Sequence, residues 1–176
     1  KAEDPDIDPA AFVAVVDNPW WPLIPGTTFT YEAETEDGLE ATFATMVAGP
    51  FVLIEGLLPL LEASGDGRVI TVVSGGMYLQ ALPLDDLQFE QGTFDGTRAY
   101  ARAKRASTAL MREWSRRYRG RVRFDAMHPG WADTPGVETA LPGFYRITKP
   151  LLRTAAEGAD TAVWLAASTE AGKVSG

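Results

Sequence analysis

The sequence contains no cysteine among its 176 residues. Disulfide bonds, thiol catalysis and thiolate metal sites are therefore excluded, and the chain is compatible with any redox compartment. The sequence also has a single histidine, His128, which excludes a metal site built from several histidines. We therefore expect no bound metal.

Long apolar runs are also missing: none approaches the roughly 20 residues that a membrane-spanning helix requires. The first residues lack the basic and apolar regions of a signal peptide. These two observations predict a cytoplasmic chain without a membrane span. The formal net charge of −8 argues further against nucleic acid and anionic membranes as partners.

Acidic and basic residues are distributed unevenly along the chain. Residues 1–40 contain ten acidic side chains and one basic one, Lys1, whereas the rest of the chain contains 14 acids and 15 bases. This break indicates two segments of different origin, an acidic one over residues 1–38 and a second over 39–176. Within the acidic segment, the alternating pattern of residues 27–34 predicts a strand.

The second segment contains a strand, a loop and a helix in that order. Arg68 to Ser74 is a short β-branched run after the breakers Gly65-Asp66-Gly67, and it predicts a buried strand that ends at a hydroxyl. A polar loop follows to about Gly96. Small and apolar residues at three- and four-residue steps then predict a helix over 97–118.

Tyr100 and Lys104 are four residues apart on this predicted helix, so they share one face. A cation beside a phenol favours the phenolate, which makes the phenol a better proton donor and acceptor near neutral pH. Ser74 could then donate a hydrogen bond to a carbonyl oxygen while Tyr100 supplies the proton. A tyrosine and a lysine at this spacing are more often a simple exposed pair, so the specificity comes from the strand, Ser-Gly-Gly and helix in sequence.

These residues resemble the short-chain dehydrogenase/reductase family. Arg68 to Gly76 is similar to the strand that ends in the family's catalytic serine, and Tyr100-Ala-Arg-Ala-Lys104 is similar to its Y-x-x-x-K motif. The long insert between them resembles that of the retinol-dehydrogenase-like variety. His128 to Thr134 resembles the Pro-Gly segment that contacts the nicotinamide end of the cofactor. The resemblance covers roughly residue 37 to residue 176 and leaves out roughly the first forty residues.

The resemblance implies a three-layer α/β fold with a Rossmann-like parallel sheet, built from strands near 68–74 and 121–127. It implies an NAD(P)-dependent oxidoreductase acting on a small carbonyl or alcohol, with NAD or NADP as cofactor. Ser74, Tyr100 and Lys104 would be catalytic, and Lys104, Pro129, Gly130 and Thr134 would bind the cofactor. The family's asparagine is replaced by Met46, and residues 141–152 resemble its variable substrate lid.

The glycine-rich turn that holds the pyrophosphate of a dinucleotide is missing from residues 1–40, where Pro25-Gly26 has one glycine and no helix after it. The sheet is therefore expected to be incomplete, with the N-terminal βαβ half absent and residues 27–34 as a candidate strand at its edge. Two interpretations stay open: a truncated or inactive oxidoreductase, or a non-catalytic binding or assembly module. Pairing of the predicted helices over 39–62 and 97–118 would make a homo-oligomer.

Overall fold

The computed structural model describes residues 38–175. The predicted acidic segment, its strand over 27–34 and the pairing of that strand at the sheet edge lie outside these residues, and the division at residue 38 stays a prediction. The elements that follow in chain order are α1 (Ala41–Phe43), a π-helical turn (Ala44–Ala48), α2 (Gly49–Ala63), β1 (Arg68–Val72), α3 (Gly96–Arg117), β2 (Arg123–Met127), α4 (Pro135–Ala140), α5 (Pro142–Thr148) and α6 (Ala155–Ala167). Short 3-10 helices cover Gly75–Leu79, Lys149–Leu151 and Ala171–Lys173.

The two strands pair in parallel, with Arg68 opposite Arg123 and Val72 opposite Met127. α3 connects them, which is the crossover that a parallel pair requires. Both predicted strands and the predicted helix over 97–118 are confirmed, with ends shifted by one to two residues. The sheet has two strands within residues 38–175, which agrees with the expectation of an incomplete parallel sheet.

The main core lies between the sheet, α2 and α3. Its buried members are Leu58 from α2, Met111 and Trp114 from α3, and Val122 and Phe124 at β2. The rings of Trp114 and Phe124 stack with centroids 5.7 Å apart. This packing fixes the axis of α3 relative to the strands, and α3 carries Tyr100 and Lys104.

The apolar stretch before β1 is one continuous helical segment. Glu40 caps it by accepting from the N–H groups of Thr42 and Phe43, at 2.8 and 2.7 Å. Pro50 has no N–H to donate, and the Met46 carbonyl, which a residue at position 50 would bond in an α-helix, accepts from Ser107 Oγ instead. Gly49 and Pro50, two residue types that often end a helix, therefore do not break this segment.

Ala41–Ala63 is thus 23 residues long, with a mean hydropathy of 1.8 in its most apolar window. By length and composition alone it could cross a membrane, and only 11% of that window is buried. The expectation that no apolar run approaches this length is wrong, since the helix continues through Gly49-Pro50.

Candidate active site

Ser74 follows β1 directly, as the sequence predicts. The strand pairing continues one residue past β1, since the Val73 N–H donates to the Met127 carbonyl at 2.9 Å. The half-buried Ser74 is extended and caps the 3-10 helix Gly75–Leu79, with its Oγ accepting from the Gly76 N–H at 3.3 Å. A hydroxyl that accepts one bond still has its own hydrogen to donate, so Ser74 can bind a carbonyl oxygen.

The 3-10 helix after Ser74 is fastened to α3. Arg105 Nη1 donates to the Met77 carbonyl at 3.2 Å, and Thr108 Oγ1 lies 3.1 Å from the Met77 sulfur. The sequence predicts only a polar loop here, because a short 3-10 helix has no strong periodic signal. The two contacts link the serine turn to the helix that carries the tyrosine.

Tyr100 and Lys104 share one face of α3, as predicted. The helix begins after Asp95, whose side chain accepts from the Arg98 N–H at 3.0 Å. Lys104 Nζ lies 5.7 Å from the centre of the Tyr100 ring, within the range of a cation–π contact. Tyr100 is 37% exposed, so part of the residue can be reached by a small molecule. Within residues 38–175 the hydroxyls of Ser74 and Tyr100 are not hydrogen-bonded to each other.

The Lys104 ammonium has a partner that the sequence did not indicate. Its Nζ donates to the carbonyl of Val72, the last residue of β1, at 2.9 Å. Burial of the half-buried side chain lowers the pKa of Lys104 below its ordinary value of 10.5, because the charged form is less well solvated.

The π-helical turn includes Met46, the residue that the resemblance puts in place of the family's asparagine. Ser107 Oγ donates to the Met46 carbonyl at 2.9 Å, and it also lies 2.9 Å from the Ala103 carbonyl. Met46, Ser107 and Lys104 line one groove. The backbone of Met46 is thus a polar group of this region, although its side chain is apolar, and a motif comparison by side-chain identity misses it.

The second half of the candidate site is the segment after β2. The Gly130 N–H donates to His128 Nδ1 at 3.0 Å, and Gly130 has a φ of +76°, a conformation that favours glycine. Thr134 caps α4, with its Oγ1 3.4 Å from the Val137 nitrogen.

The two halves meet through Gly75 and His128. A methyl carbon added at Gly75 would lie 3.5 Å from His128 Nε2, so the turn after Ser74 borders the segment after β2. The structure therefore brings the predicted residues to one edge of the sheet, beyond the carboxyl ends of the strands, where open α/β sheets bind ligands.

A dinucleotide fits this edge only in part. Pro129, Gly130 and Thr134 lie in the segment after β2, and their contact with the nicotinamide end stays a prediction. The pyrophosphate end needs a helix that begins directly after a strand through a glycine-rich turn. In the described part of the chain, only the short 3-10 helix Gly75–Leu79 begins directly after β1, and the first α-helix after β2, which ends at Met127, begins at Pro135. Residues 38–175 therefore lack the phosphate cradle.

A second set of residues positions α3, and no local sequence pattern indicates it. Arg102 Nη1 lies 3.3 Å from the buried Asp86 carboxylate, and the Arg102 guanidinium lies 4.2 Å from the centre of the Phe89 ring. Asp86 Oδ1 also accepts from the N–H groups of Glu90 and Gln91, at 2.7 and 3.2 Å. These contacts fasten the long insert onto the first turns of α3, close to Tyr100.

Comparison with known proteins gives consistent matches. The chain is 50% identical over 137 residues to human dehydrogenase/reductase SDR family member 12, covering 78% of this chain and 43% of that protein. It is 36% identical over 154 residues to human retinol dehydrogenase 14, covering 81% and 44%. A putative daunorubicin C-13 ketoreductase from a Streptomyces strain is 33% identical over 144 residues, covering 81% and 48%. No family model matches the chain.

Solved structures support the same fold. A protein of Thermus thermophilus superposes with a TM-score of 0.59 at 18% identity, covering 86% of this chain and 63% of that one. A short chain dehydrogenase/reductase family protein superposes with a TM-score of 0.54 at 24% identity, covering 85% and 60%. The chain thus spans less than half the length of the curated relatives above. By these matches and by the motifs at residues 74, 100 and 104, the chain belongs to the short-chain dehydrogenase/reductase family.

Proposed function

We propose that this chain is the catalytic portion of an NAD(P)-dependent oxidoreductase that interconverts a small carbonyl compound and its alcohol. The observation that carries the proposal is the pairing of Tyr100 and Lys104 on α3, where Lys104 Nζ lies 5.7 Å from the centre of the Tyr100 ring. The pair lies beside β1, the strand that leads to Ser74. Two of the similar proteins are named as a retinol dehydrogenase and a ketoreductase, which are enzymes of this reaction class.

Each residue has a defined task in this reaction. When bound, the cofactor supplies a hydride to the carbonyl carbon. Tyr100 gives its phenolic proton to the carbonyl oxygen, so one hydride and one proton convert the carbonyl into an alcohol. Ser74 donates a hydrogen bond to the same oxygen and orients it. The positive charge of Lys104 stabilises the phenolate that remains on Tyr100.

Lys104 and the segment with Pro129, Gly130 and Thr134 would bind the cofactor. Lys104 would donate to the nicotinamide ribose through one of the N–H groups that its bond to the Val72 carbonyl leaves over. The cradle for the pyrophosphate would come from residues outside 38–175. The choice between NAD and NADP belongs to that part as well, because the residue beside the ribose of the adenosine decides it.

The first experiment is a titration of the purified full chain with NADH and with NADPH, followed by nicotinamide fluorescence. Saturable binding supports the enzyme, whereas no binding up to millimolar cofactor contradicts activity of this chain by itself.

The second experiment compares Tyr100→Phe with Tyr118→Phe, at the other end of α3. Removing the proton donor should lower NAD(P)H-dependent carbonyl reduction by about 10²-fold or more, because general acid catalysis contributes that much. The control should keep its activity, since Tyr118 packs against the main core and Arg121 at the far end of α3 from Tyr100. Equal activity of Tyr100→Phe and the unchanged chain would contradict the assignment.

A second candidate function is a non-catalytic assembly module, and the exposed face of α2 favours it. Val52, Leu53 and Leu60 on this helix are 69%, 62% and 68% exposed. Apolar side chains this exposed along one helix mark interaction surfaces. We propose that the helices over 39–62 and 97–118 pair between two copies of the chain, a contact compatible with either function.

A further inference from the structure

The hydrogen-bond ladder between β1 and β2 stops at the candidate site. The Val73 N–H donates to the Met127 carbonyl at 2.9 Å. In a parallel ladder, the next donor would be the N–H of residue 129, which would bond back to the Val73 carbonyl. That residue is Pro129, which has no N–H. Within residues 38–175, the turn after Ser74 and the segment after β2 therefore continue side by side without a backbone hydrogen bond between them.

A side chain, His128, fastens the segment at this point. Its Nδ1 accepts from the Gly130 N–H at 3.0 Å, which closes a turn around Pro129. The next backbone bond of the segment joins the Trp131 carbonyl to the Arg153 N–H at 2.9 Å. In the described part of the chain, the stretch between β2 and Trp131 therefore has one hydrogen bond, and the histidine provides its acceptor.

This hydrogen bond fixes the tautomer of the His128 ring. A ring nitrogen that accepts a hydrogen bond carries no proton, so the ring hydrogen is on Nε2. Nε2 belongs to the other edge of the ring, which faces the serine turn. A methyl carbon added at Gly75 would lie 3.5 Å from Nε2 and 4.0 Å from Cε1, which are ordinary van der Waals distances. One side chain thus contacts both halves of the candidate site.

We propose that His128 is a positioning residue, which holds the Pro129–Gly130 turn through Nδ1 and sets the distance of that turn from Ser74 through the other edge of its ring. It transfers no proton in this role. Only the catalytic value of that distance rests on the proposed function, because the nicotinamide and the carbonyl would meet between the two turns. A misplacement of about 1 Å can lower a rate by about 10²-fold.

Nuclear magnetic resonance of the full chain tests both contacts. His128 is the single histidine, so labelling with nitrogen-15 histidine gives one pair of ring signals. The spectrum is recorded at about pH 8, at the upper end of the range in which an ordinary histidine changes charge. We expect the Nε2–H tautomer and a nuclear Overhauser effect between the Hε1 proton and the α-protons of Gly75. The Nδ1–H tautomer, or the absence of that effect, would overturn the proposal.

Three substitutions separate the two contacts. His128→Asn keeps an acceptor, because an asparagine side-chain oxygen commonly accepts from the N–H two residues on. His128→Phe keeps a ring but no acceptor, and His128→Ala keeps neither. The side chain is exposed, so none of the three opens a cavity in the core.

Amide hydrogen exchange of Gly130 measures the first contact. Its amide should exchange about 10-fold faster in His128→Ala and His128→Phe than in the unchanged chain, because one hydrogen bond is lost. In His128→Asn the rate should stay close to that of the unchanged chain. Equal rates in all four proteins would overturn the proposal.

Activity distinguishes positioning from proton transfer. In NAD(P)H-dependent carbonyl reduction, His128→Ala should lose about 10-fold or more in kcat/KM. His128→Asn and His128→Phe should each recover part of that loss, since each keeps one of the two contacts. None of the three new side chains can transfer a proton, so an equal loss in all three would contradict positioning. Unchanged kcat/KM in His128→Ala would also overturn the proposal.

The tautomer and the exchange rates need no cofactor, so they separate this proposal from the proposed function. The expected tautomer and rates in a chain that binds no NAD(P)H would support the role of His128 and contradict the enzyme. Carbonyl reduction by a chain whose Gly130 amide is insensitive to the three substitutions would do the reverse.

Discussion

Arg102 joins two buried groups that belong to the insert between Ser74 and α3. Its guanidinium contacts the Asp86 carboxylate at 3.3 Å and lies over the ring of Phe89. Phe89 is buried and has a φ of +59°, a conformation that is costly for a residue with a large side chain. The contact with Arg102 helps offset this strain, so the insert depends on one arginine of α3.

We therefore predict that Arg102→Leu lowers the free energy of unfolding by about 3 kcal/mol, because it leaves the buried Asp86 charge without its cation. Urea denaturation measures the change. Arg98→Leu is the matched control on the same helix: its guanidinium is exposed and lies 5.3 Å from the Phe89 ring, so its loss should cost less than about 1 kcal/mol. Equal effects of the two substitutions would contradict a buried ion pair.

The lowered pKa of Lys104 predicts that the stability of the chain rises with pH. Burial lowers its pKa in the folded chain, so the unfolded chain binds more protons between that lowered pKa and 10.5. The stability of the unchanged chain relative to Lys104→Met should therefore increase as the pH rises through this window.

Lys149 is the control, because its pKa is shifted in the opposite direction and its contribution to stability should fall as the pH rises. The neighbouring Tyr145 raises the pKa of Lys149, so the stabilising contribution of Lys149 is complete below 10.5 and is lost as the pH rises through the raised value. Urea denaturation between pH 7 and the highest pH at which the fold persists measures both differences. If the stability difference between the unchanged chain and Lys104→Met did not vary with pH, the Lys104 ammonium would not be desolvated.

At the scale of elements, α2 meets β1 through a close backbone contact. A methyl carbon added at Gly67 would lie 2.8 Å from the Leu61 carbonyl carbon. Real side chains do not approach a backbone carbon this closely, so the end of α2 and the start of β1 require a glycine here. Gly56, within α2, has open space around it and no such requirement.

These two glycines should respond in opposite directions to alanine. Gly67→Ala should destabilise the chain by about 1–3 kcal/mol, because the backbone must shift. Gly56→Ala should stabilise it by about 0.5–1 kcal/mol, because alanine loses less backbone entropy in a helix. Thermal and urea unfolding of the two variants measure the changes. Destabilisation by both would mean that the exposed face of α2 is covered in solution.

At the scale of the whole molecule, apolar surface is distributed unevenly. The segment Ala41–Ala63 is apolar along its length and little buried, while α3 carries arginines along its exposed side. The structure thus places an uncovered apolar helix beside a charged one. This arrangement supports pairing between two copies more than it supports an isolated chain.

We predict that the chain self-associates through α2 and that Leu60→Lys shifts it towards the monomer. The charge would be buried without a partner in the paired state, which is strongly unfavourable. Sedimentation velocity measures the change. Leu79→Lys is the control, because Leu79 is 81% exposed and lies outside α2. Dissociation by both substitutions, or by neither, would exclude α2 as the interface.

The elements with regular apolar spacing could be predicted from the sequence, and the irregular ones could not. β1 and α3 follow from local patterns, so the sequence places Ser74, Tyr100 and Lys104 on the correct elements. The π-helical turn at Met46 and the 3-10 helix after Ser74 depend on contacts with α3, at Ser107 and Arg105. Such contacts join residues about 30 to 60 positions apart, and a local pattern contains no information about them.

By itself, the sequence determined the order of strand, serine turn and tyrosine helix, because β-branched runs and alanine-rich spacing act locally. It also determined the absence of a glycine-rich phosphate turn in residues 1–40. The tertiary structure alone decided that Lys104 donates to the Val72 carbonyl, and that Arg102 bridges Asp86 and Phe89. Both depend on which side chains the packing of α3 brings to the outer edge of β1 or to a buried charge, and only the folded chain specifies that.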